Sequence, residues 1–201
     1  MYNKDDDRNE QLIVLHQLRQ QSEKNNKPNL CLSDYIAPVD LGINDYMGAF
    51  AVTTGVGIEK KIREYENQND DYNIIMLKAV ADRLAEAFAE LMHAKVRKEL
   101  WGYIDSENLT NEELIEEKYT GIRPAIGYPA CPEHSEKKLI FNLLDAEKNT
   151  SINLTEHFAM DPAASVSGLY FSHPEARYFN IGKIAKDQVE DYSKRKDKPV
   201  E

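Results

Sequence analysis

Residues 123 to 134 read RPAIGYPACPEH, and this stretch limits the local structure more than any other part of the sequence. It contains three prolines, one glycine and a cysteine. Each proline lacks an amide donor and restricts the residue before it, so the stretch cannot form a regular helix. Its apolar residues do not alternate as they would in a strand. The sequence therefore predicts a rigid, extended loop, called the arginine loop below, with one arginine, Arg123, and one tyrosine, Tyr128.

The segments around this loop alternate between helical and extended patterns. The longest predicted helix spans residues 72–100, and its apolar residues recur every three or four positions: Leu77, Val80, Leu84, Phe88 and Leu91. This leucine stripe is expected to pack against a sheet. Thr110 followed by Glu113 predicts a capping box at the start of a short helix that reaches residue 119. The other predicted helices span residues 8–24, 132–147 and 187–196, and the predicted strands span residues 46–55, 152–160, 165–171 and 177–184. This order indicates an α+β fold in one domain with a mainly antiparallel sheet.

Composition narrows the classes of function. The 35 acidic and 25 basic residues give a formal charge of −10, which disfavours nucleic acids and anionic membranes as partners. No apolar run approaches the roughly 18 residues that span a membrane. Cys31 and Cys131 lack the spacing of a disulfide framework, which is typical of a reducing cytoplasm. We therefore expect a cytoplasmic protein without a nucleic-acid or membrane partner.

Ionisable side chains line one face of the longest predicted helix. Helical spacing places them opposite the leucine stripe. They are Asp82, Glu86, Glu90, His93 and Arg97. A solvated face with pairing between neighbouring turns is the preferred interpretation, and ligand or partner contacts by Asp82 and Glu86 are the alternative.

Metal and nucleophile patterns are weak in this sequence. Cys131 and His134 form a C-x-x-H pair, but structural zinc needs four ligands and catalytic zinc usually three. His157 and His173 add no supporting spacing. The run TGVGIEK lacks the third glycine of a dinucleotide-binding motif. We predict no metal ligand and no catalytic residue.

The run RPAIGYPACP resembles the R-x-x-x-G-Y-P-A-C-P signature of the activation domain of cobalamin-dependent methionine synthase. Further segments resemble that domain in the same order. They are LCLSDYIAP, DYMGAFAVTTG, ADRLAEAFAELMHAKVRKELWGY, NLTNEELIEEKYTGIRPAIGYPACPEHSEK, LTEHFAM, ASVSGLYFSHPEARYF and KDQVEDYSKRK. The resemblance implies a helmet-like domain with a curved, mainly antiparallel sheet and flanking helices. It also implies that residues 1–201 lack the N-terminal segment and the extreme C-terminus of the family domain. The chain is then expected to be an excised fragment of a multidomain enzyme or, alternatively, a separate subunit.

The resemblance assigns roles to two sets of residues. The positions that it implies for S-adenosylmethionine binding are Arg123, Ala125, Gly127, Tyr178, Phe179 and Glu86. The positions that it implies for contact with the cobalamin domain are Asp82, Tyr128 and His134. A guanidinium suits the ligand carboxylate because it donates two parallel hydrogen bonds, and an aromatic face suits the sulfonium. Glu86 is expected to hold the ligand ammonium.

The function implied by the resemblance is reactivation of methionine synthase. In that family the domain binds S-adenosylmethionine and caps the cobalamin domain, so that cob(II)alamin is reductively methylated with an electron from flavodoxin or a flavoprotein reductase. The whole enzyme transfers a methyl group from 5-methyltetrahydrofolate to homocysteine, and the fragment alone is not expected to turn over. One alternative is a stand-alone module that senses S-adenosylmethionine without cobalamin. Another is an ordinary methyltransferase, which would normally need a parallel Rossmann-like sheet.

Overall fold

The structure is a computed structural model that describes residues 1–2 and 11–199, and it combines helices with small antiparallel sheets. Its helices are α1 (Ile58–Glu66), α2 (Asp71–Lys95), α3 (Asn111–Ile115), α4 (Glu136–Leu144), α5 (Ala146–Thr150) and α6 (Lys186–Lys196). Its strands are β1 (Gly48–Thr53), β2 (Asn153–Leu154), β3 (Met160–Asp161) and β4 (Ser165–Tyr170). A π-helical turn, Val96–Leu100, continues α2, and short 3-10 helices span Leu32–Tyr35 and Val39–Leu41. The predicted α+β class is confirmed.

Strand β4 is the strand that supports the arginine loop. One of its edges pairs antiparallel with β1. Beyond the other edge, Ile122 and Phe171 exchange backbone hydrogen bonds of 2.9 and 3.0 Å, and the Leu169 N–H donates to the Pro124 carbonyl at 3.0 Å. Gly168 fits here because a Cβ at this position would lie 2.6 Å from the Pro124 carbonyl oxygen. Backbone pairing therefore attaches the start of the arginine loop to the sheet.

The sheet is divided rather than continuous. Strands β2 and β3 form a separate two-stranded antiparallel sheet, and residues 177–184 form no strand. Within this range the Ile181 N–H donates to the Pro129 carbonyl at 2.9 Å, and Gly182 adopts a φ of 82°. This segment is therefore hydrogen-bonded to the arginine loop and not to the edge of a sheet. The strand predicted at 177–184 and the single sheet are wrong, whereas the two strands that became β1 and β4 are confirmed.

The helix predicted for residues 8–24 is wrong within its described part, and residues 8–10 lie outside the described residues. The segment is irregular, and distant groups take up its backbone donors. The His16 N–H donates to the Glu136 carboxylate at 3.2 Å, and the Gln20 N–H donates to a backbone carbonyl of the following segment at 3.0 Å. Tertiary hydrogen bonds thus replace the local bonds of a helix.

Local signals predicted several other helices with shifted ends. The Thr110 capping box is confirmed, because its hydroxyl accepts the Glu113 N–H at 3.2 Å and the Glu113 carboxylate accepts the Thr110 N–H at 2.9 Å. Helix α3 ends at Ile115 rather than at residue 119, and α4 begins at Glu136 rather than at Pro132. Helix α6 is confirmed, and α1 was not predicted. No helix in the described part of the chain is both long and apolar enough to cross a membrane.

Helix α2 packs against β1 and β4 through its smallest side chains. Ala81, Ala85 and Ala89 are exposed at only 4%, 1% and 0%. The large apolar residues of the predicted leucine stripe are mostly exposed in the described structure. The exposed members are Val80, Leu84, Phe88 and Leu91. The predicted leucine contact is wrong, because the alanine face lets the helix approach the sheet closely, whereas an amphipathic pattern is dominated by the largest apolar residues.

We expect the alanine face to control the stability of this packing. Ala89→Leu adds volume at a site with 0% exposure and should lower the free energy of unfolding by about 1–3 kcal/mol through overpacking. Leu84→Ala is the matched control, because Leu84 is 54% exposed and its truncation should change that free energy by about 0.5 kcal/mol or less. Equilibrium urea unfolding of both variants measures the difference. A larger loss in Leu84→Ala would contradict the observed packing.

Candidate ligand-binding site

The Arg123 side chain lies at the centre of a polar cluster between α2 and the arginine loop. Its Nη2 donates to Glu90 Oε2 at 2.6 Å. Its Nη1 donates to the Tyr119 hydroxyl at 2.9 Å and to His93 Nδ1 at 3.3 Å. The Arg123 and Glu90 side chains are 19% and 26% exposed, so the charged pair is reachable from solvent. We call Arg123, Glu90, His93, Tyr119 and Tyr178 the arginine cluster.

Tyr178 connects the backbone of the arginine loop to this cluster. Its hydroxyl accepts the Arg123 backbone N–H at 3.0 Å and lies 3.3 Å from the Tyr119 hydroxyl. The guanidinium carbons of Arg97 and Arg123 lie 4.6 and 5.6 Å from the centre of the Tyr119 ring. These distances are within the range of cation–π attraction. Tyr119 therefore fixes the orientation of Arg123 through both its hydroxyl and its ring.

His93 is fully buried and neutral at physiological pH. Burial, together with the charges of Arg97 and Arg123, lowers its pKa to about 3. A guanidinium can only donate, so His93 Nδ1 accepts from Arg123 and the ring proton resides on Nε2, 3.3 Å from the Tyr103 hydroxyl. The ring stacks on Tyr170 with centroids 5.2 Å apart. His93 is therefore a hydrogen-bond acceptor that orients Arg123.

A second arginine lies beneath the cluster with its charge compensated. Arg97 has 0% exposure, and its Nε and Nη2 donate to the two carboxylate oxygens of Glu107 at 2.7 Å each. This bidentate geometry is the strong form of an arginine–carboxylate pair. The Arg123–Glu90 pair is more exposed than this buried Arg97–Glu107 pair.

The tyrosine hydroxyls around the cluster stay protonated. Burial raises the pKa of Tyr103 to about 12. Burial also raises the pKa values of Tyr119 and Tyr170 above the usual range of tyrosine. These side chains therefore supply hydrogen-bond donors and acceptors at neutral pH.

The far end of the arginine loop is a tight turn. Gly127 has a φ of 93°, and a Cβ there would lie 2.4 Å from Cε1 of His134. The Gly127 N–H donates to the Cys131 carbonyl at 2.8 Å, and the Cys131 N–H donates to the Tyr128 carbonyl at 2.9 Å. The turn leaves Tyr128 61% exposed. Only glycine combines this left-handed conformation with the close approach of an imidazole ring.

Helix α6 anchors the segment that follows this turn. Lys196 Nζ donates to Glu133 Oε2 at 2.9 Å and to Glu136 Oε1 at 2.7 Å, and Glu136 is fully buried. Burial raises the pKa of the Cys131 thiol to about 12, so this thiol is protonated at neutral pH. Within residues 1–2 and 11–199, no three His, Cys, Asp or Glu residues are grouped to hold a metal ion.

The structure brings only some of the predicted ligand-binding residues together. Arg123 and Tyr178 are in direct contact. Phe179 is half-buried and packs near Tyr35, with ring centroids 6.4 Å apart. Ala125 is half-buried in the arginine loop between Arg123 and the Gly127 turn. The ligand-binding roles of these residues stay predictions.

The polar face of α2 is divided between solvent and the interior. Asp82 and Glu86 are exposed, as a solvated face predicts, but Glu90 is half-buried and His93 and Arg97 are fully buried. Glu90 contacts Arg123, and the role predicted for Glu86, binding of the ligand ammonium, stays a prediction. The burial of His93 could have been predicted from the sequence, because Ala81, Ala85, Ala89 and His93 follow one another at a spacing of four residues. This spacing places the His93 imidazole on the same buried face of the helix as the alanines.

Comparison with known proteins identifies a family and a similar solved structure. The family model described as vitamin B12 dependent methionine synthase, activation domain, matches residues 1–197. A solved structure of the MetH reactivation domain bound to AdoHcy is similar, with a TM-score of 0.88 and 59% sequence identity. This match covers 91% of the present chain and 56% of the solved chain, so the present chain spans little more than half of that length.

We expect the free energy of unfolding to decrease at acidic pH because His93 is neutral in the folded chain. Its pKa in the folded chain is lowered from 6.5 to about 3, so the unfolded state binds more protons between these values. The free energy of unfolding therefore decreases as the pH falls below about 6.5, by about 2 kcal/mol at about pH 5. Urea unfolding near pH 7 and near pH 5 measures this loss.

Two variants test whether His93 causes this pH dependence of the free energy of unfolding. His93→Gln keeps an acceptor for Arg123 but cannot titrate, so it should remove most of the difference between the two pH values. His157→Gln, at an exposed position, is the control and should keep that difference. The same pH dependence in the wild type and in His93→Gln would rule out His93 as its source.

Proposed function

Because the chain belongs to the family of vitamin B12-dependent methionine synthase activation domains, we propose that it binds S-adenosylmethionine at the arginine cluster and supports cobalamin reactivation. The observation that carries this proposal is the partly exposed Arg123 guanidinium, held in place by Glu90, Tyr119 and His93. An amino-acid carboxylate is an anion that such a guanidinium recognises with two hydrogen bonds. The similar solved domain was crystallised with AdoHcy, which supports this class of ligand.

The chemistry of the described residues fits the other parts of S-adenosylmethionine. Tyr178 lies against Arg123 and presents an aromatic ring and a hydroxyl near the proposed carboxylate position. An aromatic ring attracts a sulfonium by about 0.5–2 kcal/mol. The backbone of Ala125 and the Gly127 carbonyl are available for hydrogen bonds to the adenine ring, whereas the Gly127 N–H is already bonded to the Cys131 carbonyl. When bound, S-adenosylmethionine supplies an electrophilic methyl group, and the task of the chain is to position it and exclude water.

We propose that the exposed end of the arginine loop faces a cobalamin-binding domain. Tyr128 and His134 are exposed there, and Asp82 is exposed on α2, two turns before Glu90. In this arrangement the domain serves reductive methylation of cob(II)alamin, which needs one electron from flavodoxin or a flavoprotein reductase. The cobalamin itself would be held by the neighbouring domain, so these three residues act as docking contacts.

Calorimetric titration tests the ligand proposal. We expect the full chain to bind S-adenosylmethionine and AdoHcy, and Arg123→Ala to weaken both by about 1.5–3 kcal/mol, because a charge-assisted pair is lost. Arg19→Ala is the control, since Arg19 also pairs with a carboxylate, Asp34, but in an exposed bridge outside the cluster. Equal affinities of the Arg123 variant and the wild type would refute the assignment.

Reactivation assays test the docking proposal. In a full-length methionine synthase that contains this domain, Asp82→Ala should slow reactivation by S-adenosylmethionine and a reductant while leaving ordinary turnover unchanged. The reason is that a contact shifts a conformational equilibrium only by its differential energy between the two arrangements. Glu59→Ala, at an exposed position on α1, is the control. Equal impairment of both activities by Asp82→Ala would contradict a docking role.

A further inference from the structure

The outer edge of β1, on the side away from β4, has backbone groups without a hydrogen-bond partner. Ala49 stands opposite Leu169 in the register, and the Leu169 N–H bonds to the Pro124 carbonyl on the far side of β4. Ala49 and Leu169 are therefore a non-hydrogen-bonded pair, so the backbone groups of Ala49 face away from β4. Every second residue of the strand shares this direction. The residues of this open edge are Ala49, Ala51 and Thr53, and none of the described residues pairs with their backbone groups.

The leucine stripe of α2 lies on the same side as the open edge. Ala85 and Ala89 face the sheet, and Glu90 contacts Arg123, which lies beyond β4. At 100° per residue, Leu84 and Glu90 lie on opposite sides of the alanine face, so Leu84 lies on the β1 side. Leu84 is 54% exposed, and the stripe itself contains no charged residue. An exposed apolar row beside unpaired strand groups is typical of a surface that another chain covers.

The face of β1 opposite α2 borders a cavity of about 680 Å³. Ala51 of the open edge packs there against Phe141, Ala146 and Ile152, which also line the cavity. A strand added beside β1 would thus meet apolar side chains on both of its faces. Backbone pairing and side-chain burial would act together, as in other cases of strand addition.

The spacing of the leucine stripe is symmetric about Leu84. Successive members are separated by three, four, four and three residues. A twofold axis through Leu84 would therefore place Leu77 against Leu91 of a second copy, and Val80 against Phe88. Two helices related in this way are antiparallel and use the same surface on both copies, which is the geometry of a twofold dimer. The stripe is thus complementary to itself.

The middle of β1 lies beneath the middle of the stripe. Thr54 Oγ1 donates to the Ala81 carbonyl at 2.7 Å, and Phe50 packs against Ala89. The midpoint between these two alanines is adjacent to Leu84 in the helix. One twofold axis can therefore pass through both elements. It pairs two open edges antiparallel and brings the two α2 helices together on the same face of the sheet.

The distances between strands and helices agree with this arrangement. Helix α2 contacts both β1 and β4 and so lies above the two strands together. In the paired sheet, the axes of the two α2 helices are then separated by two strand spacings, or about 9.5 Å. Packed helices are separated by about 8–10 Å. Strand pairing at the open edge therefore brings the leucine stripes into contact without a further movement.

We propose that the open edge and the leucine stripe bind a second copy of this chain. The resulting twofold dimer has a continuous sheet in the order β4, β1, β1 and β4, covered on one face by two packed α2 helices. The arginine loop lies beyond β4, so both arginine clusters are at the outer ends of the dimer. This inference does not depend on the proposed function.

Sedimentation velocity of the full chain at about 1 to 500 μM tests the dimer. We expect the mass to approach twice the 23.0 kDa of one chain as the concentration rises. Leu84→Glu should raise the dimer dissociation constant by about 100-fold or more, because two carboxylates would face each other at the axis. Ile75→Glu is the matched control and should leave the dissociation constant unchanged, since Ile75 is 66% exposed on α2 but lies outside the stripe.

Amide hydrogen exchange tests the strand pairing. The amides of Ala49, Ala51 and Thr53 should be protected in the dimer and should exchange rapidly in Leu84→Glu. A wild type that stays monomeric throughout the concentration range overturns the inference, and protection of these amides in that monomer would mean that another segment covers the edge. A dimer that survives Leu84→Glu, or that leaves these amides unprotected, uses another surface and also overturns it.

Circular dichroism checks that Leu84→Glu is folded. If it is not, a cysteine pair replaces it as the test. Leu84→Cys should then form a disulfide-linked dimer under mild oxidation, because the two positions meet at the axis, whereas Ile75→Cys should not. The native Cys31 and Cys131 are buried and leave the comparison undisturbed. Equal cross-linking of the two variants would contradict the proposed axis.

Discussion

The close approach of α2 to the sheet of β1 and β4 is the constraint on which the rest of the structure depends. Ala85 and Ala89 are almost fully buried and leave room for the helix backbone near the sheet. Helical geometry places His93 on this same face and Glu90 and Arg97 beside it. The alanine face therefore carries three ionisable side chains into the region between the helix and the arginine loop. A bulkier face would hold them further from Arg123.

Burial of these ionisable groups is tolerated because every charge has a compensating partner. A buried charge without a partner costs several kcal/mol, whereas a paired and hydrogen-bonded one is acceptable. Arg97 pairs with Glu107, Arg123 pairs with Glu90, and His93 remains neutral. The two ion pairs lie at different depths, and the shallower one is Arg123 with Glu90. This partly exposed pair presents opposite charges that Tyr119 and His93 already hold in place, which lowers the ordering cost of binding a polar ligand.

Signals that act within a few residues could be read from the sequence, whereas those that depend on distant partners could not. The Thr110 capping box and the strands now called β1 and β4 follow from local patterns, and the structure contains them. The helix expected at residues 8–24 fails because groups such as Glu136 take up its backbone donors. The same limit holds for the site. Motif resemblance singled out Arg123, but nothing local indicates that Tyr119 and Glu90 hold its side chain.

The prolines of the arginine loop explain how one segment both joins a sheet and leaves it. Ile122 exchanges two backbone hydrogen bonds with Phe171, as in a regular antiparallel pair. At the next paired position Leu169 donates to the Pro124 carbonyl, but proline has no N–H to return, so the ladder ends there. A residue with an N–H at position 124 would allow the strand to continue and would draw the backbone of Ala125 into the sheet. Proline thus fixes Arg123 on the sheet edge while directing the following backbone, up to the Gly127 turn, away from it.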